Sequence, residues 1–181
     1  MSESDQTDQT DRTGGVDRIE TARFVAATPA EVFAVLRDPQ GHVAIDASGM
    51  LQDADGDLVT APGDRFVVHM DRESLDDIPD YGRYDVVVVI RDYEPDTLIS
   101  WTIEGRARPF IGHVYGYRLA PATEDRDGVE VAGTRVVSFY DWSDIHPDWK
   151  GSGVLPVLDE TALKGTLGIL DRTVRRGYPR P

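Results

Sequence analysis

Four histidines are the side chains in this sequence best suited to moving protons near neutral pH. They are His42, His69, His113 and His146. His113 alternates with Tyr115 and Tyr117, so these side chains share one face of a predicted strand, and the imidazole could act with the Tyr140 phenol as an acid/base pair. The favoured alternative is a core histidine that hydrogen-bonds a neighbouring hydroxyl.

Two of the other histidines carry weaker signals of chemistry. His69 faces solvent by the alternation of its neighbours in a predicted strand. His146 precedes Pro147 in the loop before the last predicted helix, where it could lie at the mouth of a cavity. Histidines in loops usually contact only water, so this second role is not favoured.

A group of aromatic and hydroxyl side chains gives a clearer signal than any single residue. Trp101, Tyr115, Tyr117, Ser138 and Tyr140 fall on the inner faces of predicted strands. Aromatic walls with a few hydroxyls suit flat, partly polar ligands. Ordinary core packing explains each aromatic residue singly. It explains less well why several hydroxyls face inward, because buried hydroxyls need hydrogen-bond partners.

The sequence lacks the common metal-binding and catalytic motifs. Asp53, Asp55 and Asp57 have the spacing of a calcium loop, but Leu58 occupies the position that requires glycine, so a hairpin tip is predicted instead. No His-Glu-x-x-His, Gly-x-Ser-x-Gly, phosphate-loop or dinucleotide motif occurs. The chain has no cysteine, which excludes disulfides and thiolate zinc sites. We therefore expect no metal and no cofactor.

The charge of the chain restricts its partners. With 33 acidic and 19 basic residues, the formal charge is −14, which disfavours nucleic acid and anionic membrane surfaces. No apolar run approaches the roughly 20 residues of a membrane span, and Met1–Arg18 lacks the apolar segment of a secretory signal. We expect a cytoplasmic protein that neither inserts into membranes nor binds nucleic acid.

The candidate residues depend on elements that the pattern predicts in order along the chain. A strand over Ile19–Val25 comes first. The segment Thr28-Pro29-Ala30-Glu31 combines a capping box with a proline at the first helical position, which predicts a helix start. Asp38-Pro39 predicts the end of that helix, and a second short helix is expected over Gln40–Ala44.

After these helices the apolar period changes to two, which indicates antiparallel strands. Asp55-Gly56 predicts a tight hairpin between Met50–Gln52 and Leu58–Thr60. A polar hairpin loop is expected before Thr134. The remaining predicted strands are Arg65–Met70, Tyr84–Arg91, Leu98–Glu104, His113–Leu119 and Thr134–Trp142.

The last predicted element is a helix over Pro156–Arg176, about 30 Å long. Its apolar face consists of Leu163, Leu167, Leu170 and Val174. Gly165 and Gly168 lie inside it, and they either leave room for a ligand or pack against a neighbouring side chain. The polar, repetitive segment 1–18 is predicted to be a disordered acidic tail, and 19–177 is predicted to form one domain.

The order of these elements resembles the helix-grip fold of the SRPBCC superfamily, which includes START domains, polyketide cyclases and pollen allergens. The chain looks like the actinobacterial polyketide cyclase/dehydrase proteins, and the resemblance covers about Ile19–Arg176. The segments that carry it are Thr28–Phe33, Leu36–Pro39, Ile45–Met50, Gly112–Leu119, Gly133–Val136 and Tyr140–Ser143. It implies an α+β fold in which a curved antiparallel sheet of about six to seven strands wraps around a long C-terminal helix. One or two short helices would follow the first strand.

The resemblance also implies a hydrophobic cavity between sheet and helix that binds a lipid, polyketide or other flat apolar molecule without a cofactor. The expected ligand-binding residues are Phe66, Val88, Trp101, His113, Tyr115, Tyr117, Ser138, Tyr140, Leu163 and Leu167. The negative charge of the chain favours neutral or weakly polar ligands over fatty-acid anions.

The resemblance leaves the activity open, because members of this superfamily include enzymes, carriers and interaction modules. One alternative is a cofactor-free polyketide cyclase or dehydratase that uses His113 and Tyr140 as acid and base. Another is a protein-interaction module of the Hsp90-activator kind with a filled core. A monomer or a homodimer is expected in each case.

Overall fold

The computed structural model describes residues 17–75 and 82–179, so residues 1–16 of the predicted tail lie outside the described part. The strands are β1 (Arg18–Val25), β2 (Leu51–Asp55), β3 (Arg65–Asp71), β4 (Arg83–Glu94), β5 (Leu98–Glu104), β6 (Val114–Arg126) and β7 (Val129–Asp141). The helices are α1 (Pro29–Leu36), α2 (Pro39–Ile45) and α3 (Glu160–Arg176), with a 3₁₀ turn at Pro147–Trp149.

The strands form one antiparallel sheet of seven strands in the order β1-β7-β6-β5-β4-β3-β2. The two helices α1 and α2 connect its opposite edges, β1 and β2, and the long helix α3 packs against the inner face. This arrangement confirms the predicted α+β helix-grip fold. Among the described helices, none is both long and apolar enough to cross a membrane.

The predicted capping box begins α1. The Thr28 hydroxyl accepts a hydrogen bond of 3.3 Å from the Glu31 backbone, and the Glu31 carboxylate accepts one of 2.8 Å from the Thr28 backbone. Asp38 caps α2 in a similar way by accepting a hydrogen bond of 3.0 Å from the Gln40 backbone. These caps satisfy N–H groups that a helix end leaves without partners. α1 begins at the predicted proline, and α2 begins at Pro39, one residue before the predicted start.

The predicted hairpin at Asp55-Gly56 is wrong. β2 ends at Asp55 and pairs with β3, while residues 56–64 form a loop instead of a second strand over Leu58–Thr60. Val59 is buried in the core, and its backbone donates a hydrogen bond of 2.9 Å to the Arg37 carbonyl near the end of α1. Burial of this valine beside α1 therefore competes successfully with a local turn.

The predicted polar loop before Thr134 is also wrong. β6 continues to Arg126 and β7 begins at Val129, and only Asp127-Gly128 connects them. Both turn residues have positive φ angles, 56° and 82°, which is the geometry of a two-residue hairpin. Much of this ribbon is exposed, so its sequence lacks the apolar alternation that marks a half-buried strand.

The last helix begins at Glu160, four positions after the predicted start at Pro156. Asp159 is its N-cap and accepts a hydrogen bond of 2.8 Å from the Ala162 backbone. Leu163, Leu167 and Leu170 are buried as predicted, whereas Val174 is only partly buried. A side chain at Gly165 would approach Ala47 to 3.2 Å, which favours the packing interpretation for that glycine.

Candidate functional site

A cavity of about 310 Å³ lies between the inner face of the sheet and α3. Strands β2 to β7 supply one wall, and α2, α3, the segment between α2 and β2 and the loops before β6 and α3 supply the rest. The wall is mainly apolar and includes Val68, Val86, Val88, Trp101, Ile103, Tyr115, Tyr117 and Leu163. This space lies where a helix-grip fold leaves room between sheet and helix.

Strand alternation directs these side chains into the cavity. In β4, Val86 and Val88 are buried and line the cavity, whereas Asp85 and Arg91 are exposed. Successive side chains on a strand point to opposite faces of the sheet, so every second residue of a single strand can line the cavity.

Most of the residues predicted to bind a ligand line the cavity: Val88, Trp101, His113, Tyr115, Tyr117, Ser138 and Leu163. Phe66, Tyr140 and Leu167 are buried but do not belong to the wall. The His42 ring covers Phe66, with ring centroids 4.9 Å apart. Tyr115 covers Tyr140 by stacking on it at 4.5 Å. Strand alternation thus predicts the face of a residue but not how deep it lies behind its neighbours.

His42 is a wall residue that sequence reasoning missed. It lies on the short helix α2, and its ring contacts Trp101 edge-on at 4.7 Å. Its Nε2 is 2.8 Å from the Leu36 carbonyl oxygen, which can only accept, so Nε2 carries the proton. Burial lowers the pKa of His42 to about 4, so the ring is neutral at neutral pH. A helix of seven residues shows too little periodicity to reveal this orientation.

The segment after α2 also contributes to the wall through Asp46 and Ser48. Asp46 accepts hydrogen bonds from the Ser48 backbone at 2.9 Å, the Ser48 hydroxyl at 2.6 Å and the Leu51 backbone at 3.0 Å. These contacts shape the loop, since Asp and Ser side chains readily bond the local backbone. Asp46 is thus an acidic residue in the lining, and the hydrogen bonds of the loop engage its carboxylate.

His113 and Tyr140, the predicted acid/base pair, are in hydrogen-bond contact. His113 Nδ1 lies 3.0 Å from the Tyr140 hydroxyl oxygen, and the Val157 backbone donates to the same oxygen at 3.5 Å. His113 contacts the Tyr115 ring edge-on at 5.0 Å. Of the predicted pair, only His113 borders the cavity directly, since Tyr140 is fully buried behind the wall.

Burial makes this aromatic region electrically neutral. It lowers the pKa of His113 to about 4 and raises the pKa of Tyr140 to about 12. Burial also raises the pKa values of Tyr115 and Tyr117. At neutral pH the imidazole is therefore uncharged and the phenols keep their protons, because a low-dielectric surrounding disfavours the charged form.

The opening of the cavity combines exposed apolar side chains with basic ones. Phe110, Val154 and Val157 line the cavity and are exposed by 38%, 48% and 38%. Arg72 and Arg106 also belong to the lining, and the Arg106 guanidinium lies 5.3 Å from the centre of the Tyr84 ring. Two arginines therefore place positive charge near the opening, although the chain as a whole is negatively charged.

The remaining histidines lie outside the cavity lining. His69 bridges Asp55 at 2.9 Å and Asp85 at 2.7 Å on the exposed side of the sheet, and these hydrogen bonds raise its pKa to about 9. The side chain of His146 accepts a hydrogen bond of 3.3 Å from the Asp148 backbone at the 3₁₀ turn. Across residues 17–75 and 82–179, no cluster of three or more His, Asp or Glu side chains could hold a metal ion.

Fold and cavity together define a helix-grip protein of the SRPBCC superfamily. More specifically, the chain belongs to the family described as polyketide cyclase / dehydrase and lipid transport, whose model matches residues 17–175. No curated protein matches the chain by sequence.

Several solved structures share the fold at low sequence identity. Protein CV1439 from Chromobacterium violaceum is 14% identical with a TM-score of 0.61, and the match covers 88% of this chain and 98% of that one. Protein NE0264 from Nitrosomonas europaea is 14% identical with a TM-score of 0.59, covering 88% and 94%. The Aha1 dimer from Colwellia psychrerythraea is 13% identical with a TM-score of 0.51, covering 90% and 98%. At these identities the likeness concerns the fold alone.

Proposed function

We propose that the protein binds a hydrophobic small molecule, such as a lipid, a polyketide or a polycyclic aromatic compound, in the cavity between the sheet and α3. The observation that carries this proposal is the mainly apolar cavity of about 310 Å³. This volume lies at the lower end of the range of about 300–1,000 Å³ for small-molecule sites. It therefore suits a compact ligand.

The opening supports the same proposal. Phe110, Val154 and Val157 expose apolar surface at the edge of the cavity. A ligand that extends to the opening would cover this surface. Burial of apolar surface is the main favourable contribution to binding in such a site. The neutral state of His42 and His113 adds no charge that would oppose an apolar ligand.

The experiment compares two substitutions in the same strand. Val86→Phe places a larger side chain in the cavity wall, and Val87→Phe places the same side chain on the other face of β4. Thermal shift and isothermal titration against a panel of neutral polycyclic compounds should show binding to the wild type and to Val87→Phe, and at least tenfold weaker binding to Val86→Phe. Equal binding by both variants, or no binding by the wild type, would contradict the proposal.

A catalytic alternative is a cofactor-free cyclase or dehydratase that uses His113 and Tyr140 as acid and base. The contact of 3.0 Å between His113 and Tyr140 beside the cavity favours it. Only His113 would contact a substrate, so Tyr140 would act through the imidazole. Turnover of an aromatic polyketide intermediate by the wild type, and its loss in His113→Phe without loss of binding, would support this alternative.

The interaction-module alternative requires a filled core, and the cavity speaks against it. We also propose a cytoplasmic location and a monomeric or homodimeric state, in keeping with the acidic, cysteine-free composition. Size-exclusion chromatography with light scattering tests the oligomeric state directly.

A further inference from the structure

We propose that the cavity selects ligands carrying a hydrogen-bond acceptor, such as the oxygen of a ketone or quinone, and that the donor is the Nε2–H group of His113. Tyr140 is the positioning residue that fixes this tautomer. The inference rests on the proposed function, because a ligand must first enter the cavity.

The hydrogen bond between His113 and Tyr140 can be drawn in two directions. Either the His113 Nδ1–H group donates to the phenol oxygen, or the Tyr140 O–H group donates to an unprotonated Nδ1. The choice matters because a neutral imidazole carries one ring proton. If Nδ1 accepts, the proton lies on Nε2, and the histidine presents a donor on its other side.

The burial of the Tyr140 hydroxyl and its remaining contact favour one direction. The Val157 backbone N–H, 3.5 Å away, can only donate to it. Tyr140 is fully buried, and among the described residues the hydrogen bond with His113 Nδ1 is the only one through which its O–H group can donate. A phenol oxygen accepts about two hydrogen bonds. Since a buried hydroxyl proton needs an acceptor, the proton of Tyr140 is directed to His113 Nδ1.

The Nε2–H group of His113 then has no acceptor among residues 17–75 and 82–179. Among the described residues, the only hydrogen bond of this imidazole is the one through Nδ1. The only fully buried side-chain polar atom without a partner in that part of the chain is Thr102 Oγ1, so Nε2 keeps access to the cavity that His113 lines. A donor that lines an apolar cavity without a protein acceptor favours a ligand that supplies one, because an unmet donor loses its hydrogen bond on desolvation.

Trp101 adds a second donor to the same wall. Its indole N–H likewise has no acceptor among the described residues, and its ring stacks beside Tyr115 at 6.2 Å. The His113 ring contacts the same Tyr115 at 5.0 Å. The wall around Tyr115 therefore offers two N–H donors, which selects for acceptors on a flat ligand.

The tautomer can be tested without a ligand. Long-range ¹H–¹⁵N NMR correlations distinguish the two neutral tautomers of an imidazole, and loss of the signal in His113→Gln identifies the residue. We expect His113 to carry its proton on Nε2 in the wild type. Tyr140→Phe, which keeps the ring and removes only the hydroxyl, should give a mixture of tautomers. A proton on Nδ1 in the wild type would overturn the inference.

The selectivity is tested with 9-fluorenone and fluorene, which share a ring system and differ mainly in the carbonyl oxygen. Titration calorimetry should give an affinity for fluorenone about tenfold above that for fluorene in the wild type. The ratio should fall to about threefold or less in Tyr140→Phe, with fluorene binding unchanged. Tyr93→Phe is the matched control, since Tyr93 packs on Phe33 and does not line the cavity.

The outcomes separate this inference from the proposed function. Binding of both probes with equal affinity would overturn the acceptor selectivity and leave the proposed function standing. Binding of neither probe would overturn both for compounds of this size. A ratio that drops equally in Tyr93→Phe and Tyr140→Phe would show that Tyr140 has no special positioning role.

Discussion

The phenol of Tyr178 donates a hydrogen bond of 2.6 Å to the carboxylate of Asp38, which lies 140 residues earlier in the chain. Asp38 is buried and also caps α2 through the Gln40 backbone. The contact joins the segment after α3 to the start of α2, the helix that places His42 in the cavity wall. The end of the described chain thus helps to hold one side of the cavity.

We expect Tyr178→Phe to lower the free energy of unfolding by about 1–3 kcal/mol, because a buried carboxylate loses a donor. Urea denaturation followed by circular dichroism measures the change. Tyr93→Phe serves as the control, since the Tyr93 hydroxyl has no hydrogen bond among the described residues and its ring contact with Phe33 is kept. A loss no greater than in the control would show that the contact contributes nothing to stability.

The role of α3 in covering the sheet leads to a second prediction. Leu167 is completely buried, so Leu167→Asp should cost several kcal/mol by placing an unpaired charge in the core. Arg172→Asp, on the exposed side of the same helix, should cost less than about 1 kcal/mol. Thermal denaturation of both variants tests this, and a soluble, cooperatively folding Leu167→Asp protein would contradict the assigned position of α3.

Much of the fold could be predicted because the elements follow local rules. The capping box at Thr28 and the alternation of Val86 and Val88 reflect interactions within one element, and both agree with the structure. The loop after β2 could not be predicted in this way. Val59 is buried against the end of α1, a contact between distant parts of the chain that no local pattern encodes.

The candidate site shows the same division. Trp101 and Tyr117 were placed on the wall by strand alternation alone. Tyr140 satisfies the same alternation, yet Tyr115 covers it, because the depth of a side chain depends on how neighbouring strands and rings pack. His42 was missed for the complementary reason that a short helix reveals little about which side faces a cavity.

The buried histidines predict how stability depends on pH. Burial lowers the folded-state pKa of His42 and of His113 to about 4 each, below the usual value of about 6.5 for an unfolded chain. Between these values the unfolded chain binds more protons than the folded protein, so stability falls as the pH falls through 6.5 toward 4. From pH 7.5 to 5.5 we expect a loss on the order of 1 kcal/mol for each histidine.

His69 has the opposite effect on the pH dependence of stability from His42 and His113, so its contribution is measured separately. Hydrogen bonds that His69 donates to Asp55 and Asp85 raise its pKa to about 9, so its contribution to stability is complete below about pH 6.5 and is lost as the pH rises. Urea denaturation of His69→Asn should therefore show a steeper loss of stability between pH 7.5 and 5.5 than the wild type, and His42→Gln a shallower one. Identical slopes in all three proteins would refute the assignment.

The acidic N-terminal segment is predicted to be dispensable for folding. Deletion of Met1–Gly15 leaves β1 and the hydrogen bond of 2.8 Å from the Trp142 backbone to the Asp17 carbonyl in place. The midpoint of thermal unfolding should change by no more than about a degree or two, because the core is untouched. Differential scanning calorimetry measures this midpoint, and a drop of about ten degrees would show that the segment docks on the domain.

Neighbouring residues of β6 give the last prediction, which concerns the assignment of the cavity wall. Tyr117 lines the cavity and is buried, whereas Arg118 is exposed on the opposite face and pairs with Glu20 at 2.8 Å. Tyr117→Ala should enlarge the cavity and change which ligands bind, with affinity for compact ligands falling about tenfold as packing contacts are lost. Arg118→Ala removes an exposed ion pair and a 5.2 Å contact of the guanidinium with the Phe139 ring, and Arg118 itself does not line the cavity, so the ligand profile should match that of the wild type within about twofold. Titration of both variants against the same panel of polycyclic compounds provides the measurement. Equal changes in the two profiles would mean that the wall has been assigned to the wrong face of β6.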